Sequence, residues 1–265
     1  ITITGGFLEA TSPSIKGGGM YLMGSNPTLT NMTIANNTSG EGAIYIKSSF
    51  PKLNNVTIAN NTAFNGGGMF LSYADAILTN VIISNNTAEH YGGGIYLTNT
   101  SPTLNNVTIT NNSAWAGGGL LNWEFAYPTF TNVTITNNTA SSGGGIYSTT
   151  NSFPTLINSI IWDNSPESID IGSGEPIITY SDIEGGWEGE GNIDADPLFT
   201  DPENEDFTLQ PDSPCIDSGT DNLEQDGLQN INDYIGLAPD MGAYEYGALN
   251  IGKGVSPTSF RLLPA

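Results

Sequence analysis

The sequence is poor in charge, and poorest in positive charge. Of 265 residues only 12% are charged, with 5 Lys and Arg against 27 Asp and Glu, a net charge of −22. Nucleic acids and anionic membranes both need a cationic face, so neither is expected as a partner. Cysteine occurs once, at Cys215, which excludes an intramolecular disulfide framework. Histidine also occurs once, at His90. No zinc site, Ser-His-Asp triad or phosphate loop can be assembled from such a set. No apolar run approaches the roughly 20 residues of a spanning helix, so no membrane insertion is expected. An apolar signal segment is missing at Ile1, and the chain reads as mature or trimmed.

What is present is a repeat. Gly-rich starts stand at 17, 41, 66, 92, 117 and 143, in steps of 24, 25, 26, 25 and 26. Asn pairs keep the same pace: Asn36-Asn37, Asn60-Asn61, Asn85-Asn86, Asn111-Asn112 and Asn137-Asn138, followed by Asp163-Asn164. A proline recurs at Pro27, Pro51, Pro102, Pro128 and Pro154. Each unit holds two short segments rich in β-branched and aromatic residues with period 2, such as Ile95-Tyr96-Leu97 and Leu104 to Thr110. Units of about 25 residues with two or three strands match one coil of a parallel β-helix. The expected fold is all-β: a right-handed parallel β-helix of about 7–8 coils with an irregular acidic C-terminal cap. Coils stack at the strand spacing of about 4.8 Å. That places Ile34, Ile58, Ile83, Ile109 and Ile135 in one core column and Val56, Val107 and Val133 in another. Asn36, Asn60, Asn85, Asn111 and Asn137 are expected to form an inward corner ladder that satisfies turn groups.

These residues carry a family resemblance. Gly-Gly-Gly-Ile-Tyr followed by Pro-Thr-Leu-Asn-Asn-Val-Thr-Ile-Thr-Asn-Asn resembles the right-handed β-helix repeats of secreted bacterial proteins. The pattern is similar to that of the polymorphic outer-membrane proteins, and pectate lyases share the architecture. Downstream, Asn192-Ile193-Asp194-Ala195-Asp196-Pro197-Leu198-Phe199, then Ser213-Pro214-Cys215-Ile216-Asp217-Ser218-Gly219, then Asp240-Met241-Gly242-Ala243-Tyr244-Glu245-Tyr246 resemble the C-terminal module of surface β-helix proteins with interchangeable anchors. Ser259 to Ala265 resembles the linker before a type IX secretion sorting domain. The resemblance implies export to the outer surface of a Gram-negative bacterium. Three regions are expected: repeats over 1–190, an acidic C-terminal module over 191–248, and a linker over 249–265. Residues 1–150 hold 5 acids and residues 151–265 hold 22, so the body is nearly neutral and the module acidic.

Few residues suggest chemistry. Asp194, Asp196, Asp201 and Asp206 are a candidate calcium cluster of hard oxygen ligands; the alternative is turn-forming Asp beside Pro197 and Pro202. The acids of the body, Glu9, Glu41, Asp75, Glu89 and Glu124, fall in different slots of different units, unlike the paired carboxylates of glycoside hydrolysis. His90 reads as a solvated loop residue, and Cys215 as a small buried hydrophobe. The Asn-x-Thr sequons fall out of the repeat itself. Tyr21, Tyr45, Phe70, Tyr96 and Tyr147 share one slot, broken by Leu121, and read as a structural stack. Trp115, Trp123, Phe125 and Tyr127 break the repeat within one coil. They form either a contact surface for sugar rings or another protein, or a cluster covering loop backbone. The expected function is a non-catalytic structural or adhesive β-solenoid that self-associates, as a filament or sheath, or docks on another surface protein. The alternative is a carbohydrate-binding or polysaccharide-lyase-like β-helix with a polysaccharide partner. No cofactor other than calcium is suggested.

Overall fold

A computed structural model describes residues 1–6, 16–149, 151–223, 231 and 234–248. The expected linker over 249–265 lies outside the described residues. The chain forms an all-β, right-handed parallel solenoid of about seven turns, and no α-helix occurs among the described residues. Each turn visits three sheets. The first is the long sheet, with eight-residue strands at Thr28–Ala35, Lys52–Ala59, Ile77–Ser84, Thr103–Thr110 and Thr129–Thr136. The second is short, with Thr38–Glu41, Thr62–Asn65 and Thr87–Tyr91, continued by single bridges at Ser113, Ala116, Thr139, Ser142 and Ser165. The third has seven strands, from Met20–Met23 to Ile169–Ile171. Pairing within all three is parallel, and in register except at one place in the short sheet, for example Ile58↔Ile83↔Ile109↔Ile135. The Ile and Val columns expected from the sequence are buried in the core.

The coil closes because four positions per turn can enter the left-handed backbone region. Asn55, Asn80, Asn106 and Asn132 bend the long strands, at φ between 53° and 55°. Asn60, Asn85, Asn111 and Asn137 turn the chain into the short sheet, at φ between 55° and 57°. Gly66, Gly92, Gly117 and Gly143 turn it into the third sheet, and Ser48, Tyr73, Asn99 and Glu124 turn it out again. Left-handed geometry costs most residues roughly 1–2 kcal/mol, and Asn and Gly bear it best. At Gly92 a side chain is excluded outright, since a Cβ would lie 2.4 Å from the carbonyl oxygen of Ile95.

This corner geometry corrects the expected Asn ladder by one residue. Asn36, Asn60, Asn85, Asn111 and Asn137 hold the left-handed corner and lie at the surface or half-buried. The inward ladder is Asn37, Asn61, Asn86, Asn112, Asn138 and Asn164, each buried. The Oδ1 of Asn112 accepts from the backbone N–H (2.9 Å) and the side-chain amide (3.0 Å) of Asn86. Its own amide donates to Asn138 Oδ1 at 3.0 Å and to the Ile83 carbonyl at 2.9 Å. Every rung repeats this, so the ladder replaces the backbone pairing that a corner cannot make.

The acidic C-terminal segment does more than follow the last rung. Ile193 pairs with Ile183 at the end of the stack, and Asp182 bridges to it in parallel. The chain then forms a hairpin, Phe199–Asp201 with Asp206–Leu209, and lies back along the outer face of the long sheet. Phe199, Phe207, Leu209, Cys215 and Met241 pack on Ile160 in a second core. The Thr108 hydroxyl donates to Tyr244 at 3.1 Å, Ala243 N–H donates to the Thr134 hydroxyl at 3.0 Å, and Glu205 accepts from Asn85 at 2.8 Å. The expectation of a cap over the open end is thereby changed in part, because much of the segment is flank cover. At the stack end Trp187 packs on the main core and Asn192 donates to the Ile178 carbonyl, whereas the apolar residues of the hairpin and beyond match the outward Ile160.

Two expected outcomes follow from this architecture. Asn112→Leu should lower stability by roughly 2–6 kcal/mol, because both donors of Asn86 lose a buried acceptor. Asn111→Leu should cost only about 1–2 kcal/mol, for a left-handed Leu. Urea midpoints check this, and a larger loss at Asn111 would reverse the ladder assignment. The second outcome concerns pH. Burial raises Asp182 and Asp240 to about 6 and Glu245 to about 7. Unfolded, such groups titrate near 4. The folded chain therefore holds more protons between pH 4 and 7, and stability falls as pH rises through that window, by up to about 1.4 kcal/mol per pH unit and proton. The melting temperature should be higher at pH 5 than at pH 8, and the combined Asp240→Asn and Glu245→Gln variant should flatten the dependence. An unchanged slope in that variant would assign the effect to net charge instead.

Candidate functional site

One rung of the short sheet departs from the rest. The left-handed Asn and the left-handed Gly are six positions apart at Asn36–Gly42, Asn60–Gly66, Asn111–Gly117 and Asn137–Gly143, but seven at Asn85–Gly92. The extra residue appears as a register shift between Ala88 and Tyr91 against Ala63 and Asn65. A bulge of this kind re-aims side chains without breaking the sheet. Here it turns out Glu89 and His90. The His90 carbonyl accepts from both Trp115 N–H (2.9 Å) and Ala116 N–H (3.0 Å) of the next rung, so the bulge is fixed from the far side.

Five aromatic side chains gather around it. His90 lies on the Phe64 ring with centroids 4.2 Å apart. Tyr91 meets Trp115 edge-on at 5.7 Å and 74°, and lies nearly parallel to Trp123 at 6.4 Å and 27°. Trp115 is 57% exposed. Glu89, His90, Tyr91 and Trp115 line an open, shallow surface cleft of about 400 Å³. Glu89 Oε1 stands 3.8 Å from His90 Nε2. Tyr96, 6.4 Å from Tyr91, has its phenol pushed up by burial and then by the Glu124 and Glu41 carboxylates. The cleft lining thus carries a carboxylate, an imidazole and aromatic faces, with no Lys or Arg. The Tyr21–Tyr45–Phe70–Tyr96 stack, with centroids 4.6–5.4 Å apart, runs toward the same corner.

The four residues expected to share one contact surface divide. Trp115 and Trp123 both meet Tyr91, whereas Tyr127 stacks on Phe153 at 5.8 Å, beyond the next corner. Phe125, 49% exposed, has no ring contact with either group. The separation has a backbone cause: Glu124 and Phe125 are both left-handed, at φ 47° and 56°, and turn the chain between Trp123 and Tyr127. His90 is not a loop residue, as its sequence context suggested, but a strand residue on a bulge. The signal for this was the seven-residue spacing.

The acidic candidates do not converge. Asp194 accepts from Gly185 N–H, Asp196 from Leu198 N–H, Asp201 from the Asn204 amide, and Asp206 from Thr208. Asp196, Asp201 and Asp206 each serve a group within three residues, and Asp194 reaches back to Gly185. Among the described residues no three His, Cys, Asp or Glu side chains are placed to hold a metal ion. Cys215 is buried, and its thiol is pushed far up by burial, then by the Asp182 carboxylate to which it donates at 3.2 Å. It is set as packing, not as a nucleophile.

Residues 7–131 match the right handed beta helix region family model, and residues 132–149 match the Chlamydia polymorphic membrane protein repeat. Both matches are to right-handed β-helix repeats and lie within the solenoid; the polymorphic-membrane-protein model matches one repeat unit of it. Among solved structures it is similar to pectate lyase Pel9A, at 14% identity and a TM-score of 0.53, over 92% of this chain and 69% of that one. At that identity the likeness is one of fold. No curated protein sequence matches the chain.

The rung that carries Trp123 also breaks the core rule. Leu97, Asn122 and Ser148 are in register on the inward face of the third sheet. Asn122 is fully buried, and neither its Oδ1 nor its Nδ2 has a protein partner. A buried unpaired amide costs roughly 1–3 kcal/mol per group. Asn122→Leu should therefore continue the Leu71–Leu97 column and raise the urea midpoint. A fall would show that the amide is held by a partner that Leu cannot replace.

Proposed function

We propose that this chain is a non-catalytic β-solenoid of a bacterial outer surface that holds its Tyr91–Trp115–Trp123 corner toward a partner. The observation that carries the reading is the single bulged rung. No other described rung of the short sheet has the seven-residue spacing, and here the extra residue and Trp115 of the next rung form an exposed aromatic cleft backed by Trp123 on Tyr91. Exposed aromatics on a rigid frame are the anchors of contact surfaces. The polymorphic-membrane-protein repeat supports a surface location. The pectate lyase neighbour supports a second reading, polysaccharide cleavage. Against it, the two free lysines of the body, Lys47 and Lys52, lie outside the cleft, and Lys16 is held by Glu41 at 3.1 Å. A lyase acting on acidic sugar needs a cationic group at the substrate.

Beads coated with the chain should adhere to envelopes of the producing cell, and Trp115→Ser, at unchanged melting temperature, should reduce the adhering fraction severalfold. Incubation with polygalacturonate, with and without added calcium, should release no unsaturated product. Adhesion indifferent to Trp115→Ser would remove the aromatic corner from the account, and unsaturated product would establish the lyase.

A further inference from the structure

We infer that the cleft formed by Glu89, His90, Tyr91 and Trp115 is a sugar subsite that takes one or two residues of a neutral glycan chain and rejects uronates. The inference rests on the reading above that this corner is the contact surface. It goes further by naming the occupant.

Shape comes first. The cleft is open and shallow, with about 400 Å³ over its floor, room for a sugar ring or two laid on the surface rather than buried in it. A stable protein partner would need roughly 800 Å² on each side, far more than four lining residues provide. The ring geometry comes second. Trp115 and Tyr91 stand at 74° to each other, which makes a floor and a wall. A pyranose has an apolar C–H face and a rim of equatorial hydroxyls. The electron-rich face of a ring suits the C–H face, and the second ring walls its edge. The polar groups come third. Glu89 Oε1 and His90 Nε2 are 3.8 Å apart and both open to solvent. A carboxylate accepts and an imidazole accepts or donates, and their spacing suits two vicinal hydroxyls. The backbone of the site is fixed, since the His90 carbonyl is tied to two N–H groups of the next rung.

Charge decides between sugar classes. The lining has one carboxylate and no Lys or Arg, and Glu124 acts electrostatically on the neighbouring Tyr96. A galacturonate chain would bring further carboxylates against Glu89 with nothing to neutralise them. A neutral hexose or N-acetylhexosamine chain meets no such repulsion.

The test uses the full chain and three probes: cellohexaose, hexa-N-acetylchitohexaose and hexagalacturonate. Titration should move the Trp115 indole resonance with at least one neutral hexasaccharide at or below about 10 mM, and hexagalacturonate should leave it unmoved. Trp115→Ala should weaken binding at least about tenfold, whereas Tyr127→Ala, beyond the next corner, should leave it unchanged. Glu89→Gln removes the charge that repels uronate and should admit hexagalacturonate. The wild-type resonance keeps the test valid should Trp115→Ala fold poorly. Failure of both neutral sugars to move Trp115, or tighter binding of hexagalacturonate to the unaltered chain, overturns the inference. Bead adhesion that persists while both neutral sugars fail also overturns it, and leaves the docking reading in place.

Discussion

Everything in this molecule depends on residues that can turn the backbone left-handed at fixed points in each coil. A parallel solenoid must change direction several times per turn and still deliver every strand at the same height. Right-handed residues cannot make these corners at low cost. Asn and Gly can, and their positions in the repeat set the corners of the cross-section. A corner also leaves backbone groups that no strand can pair. The residue after the left-handed Asn points inward, so a second Asn there meets its copies above and below, and its amide serves both neighbours and a carbonyl. The Asn-Asn pair is therefore two devices in sequence: one bends the chain and the other seals the bend.

That division explains what the sequence made legible and what it hid. The period, the parallel strands and the Ile and Val columns follow from spacing and alternation alone, because each rung buries the same face. The choice between Asn36 and Asn37 is nearly hidden, since both positions are Asn in five of six rungs and only Asp163 in the sixth separates them in sequence. The acidic segment hid more. Phe199, Phe207, Leu209, Cys215 and Met241 have no common period, so nothing local marks them as one core. They become one only against Ile160, which the long sheet turns outward. The sequence suggested a cap because an open stack needs covering. The structure covers the stack end with Trp187 and the short pairing at Ile193, and lays the later apolar residues on the flank.

The site was half legible for a related reason. Trp115 and Trp123 stood out because they broke the repeat, and the structure joins them through Tyr91. Phe125 and Tyr127 stood out beside them in sequence but are carried round a corner by two left-handed residues. In a solenoid, nearness along the chain matters less than nearness in slot. Tyr91 is one rung from Trp115 and 24 positions away, while Tyr127 is four positions from Trp123 and faces elsewhere.

The location of the bulge is also a consequence of the packing. An inserted residue in the long sheet would shift Ile and Val columns out of register and flip them to the wrong face. In the third sheet it would displace Met69, Ile95 or Leu120 from the core. The short sheet turns only small residues inward there, Ser39, Ala63, Ala88 and Ala116, and is bounded by the Asn ladder on one side and the Gly corner on the other. Those two anchors hold the rung while the residues between them bow outward, so the extra length is expressed entirely at the surface. The short sheet is the side of this coil where the chain can gain a side chain for contact without loss of the core. It is also the side on which the rings of Tyr91 and Trp115 are gathered.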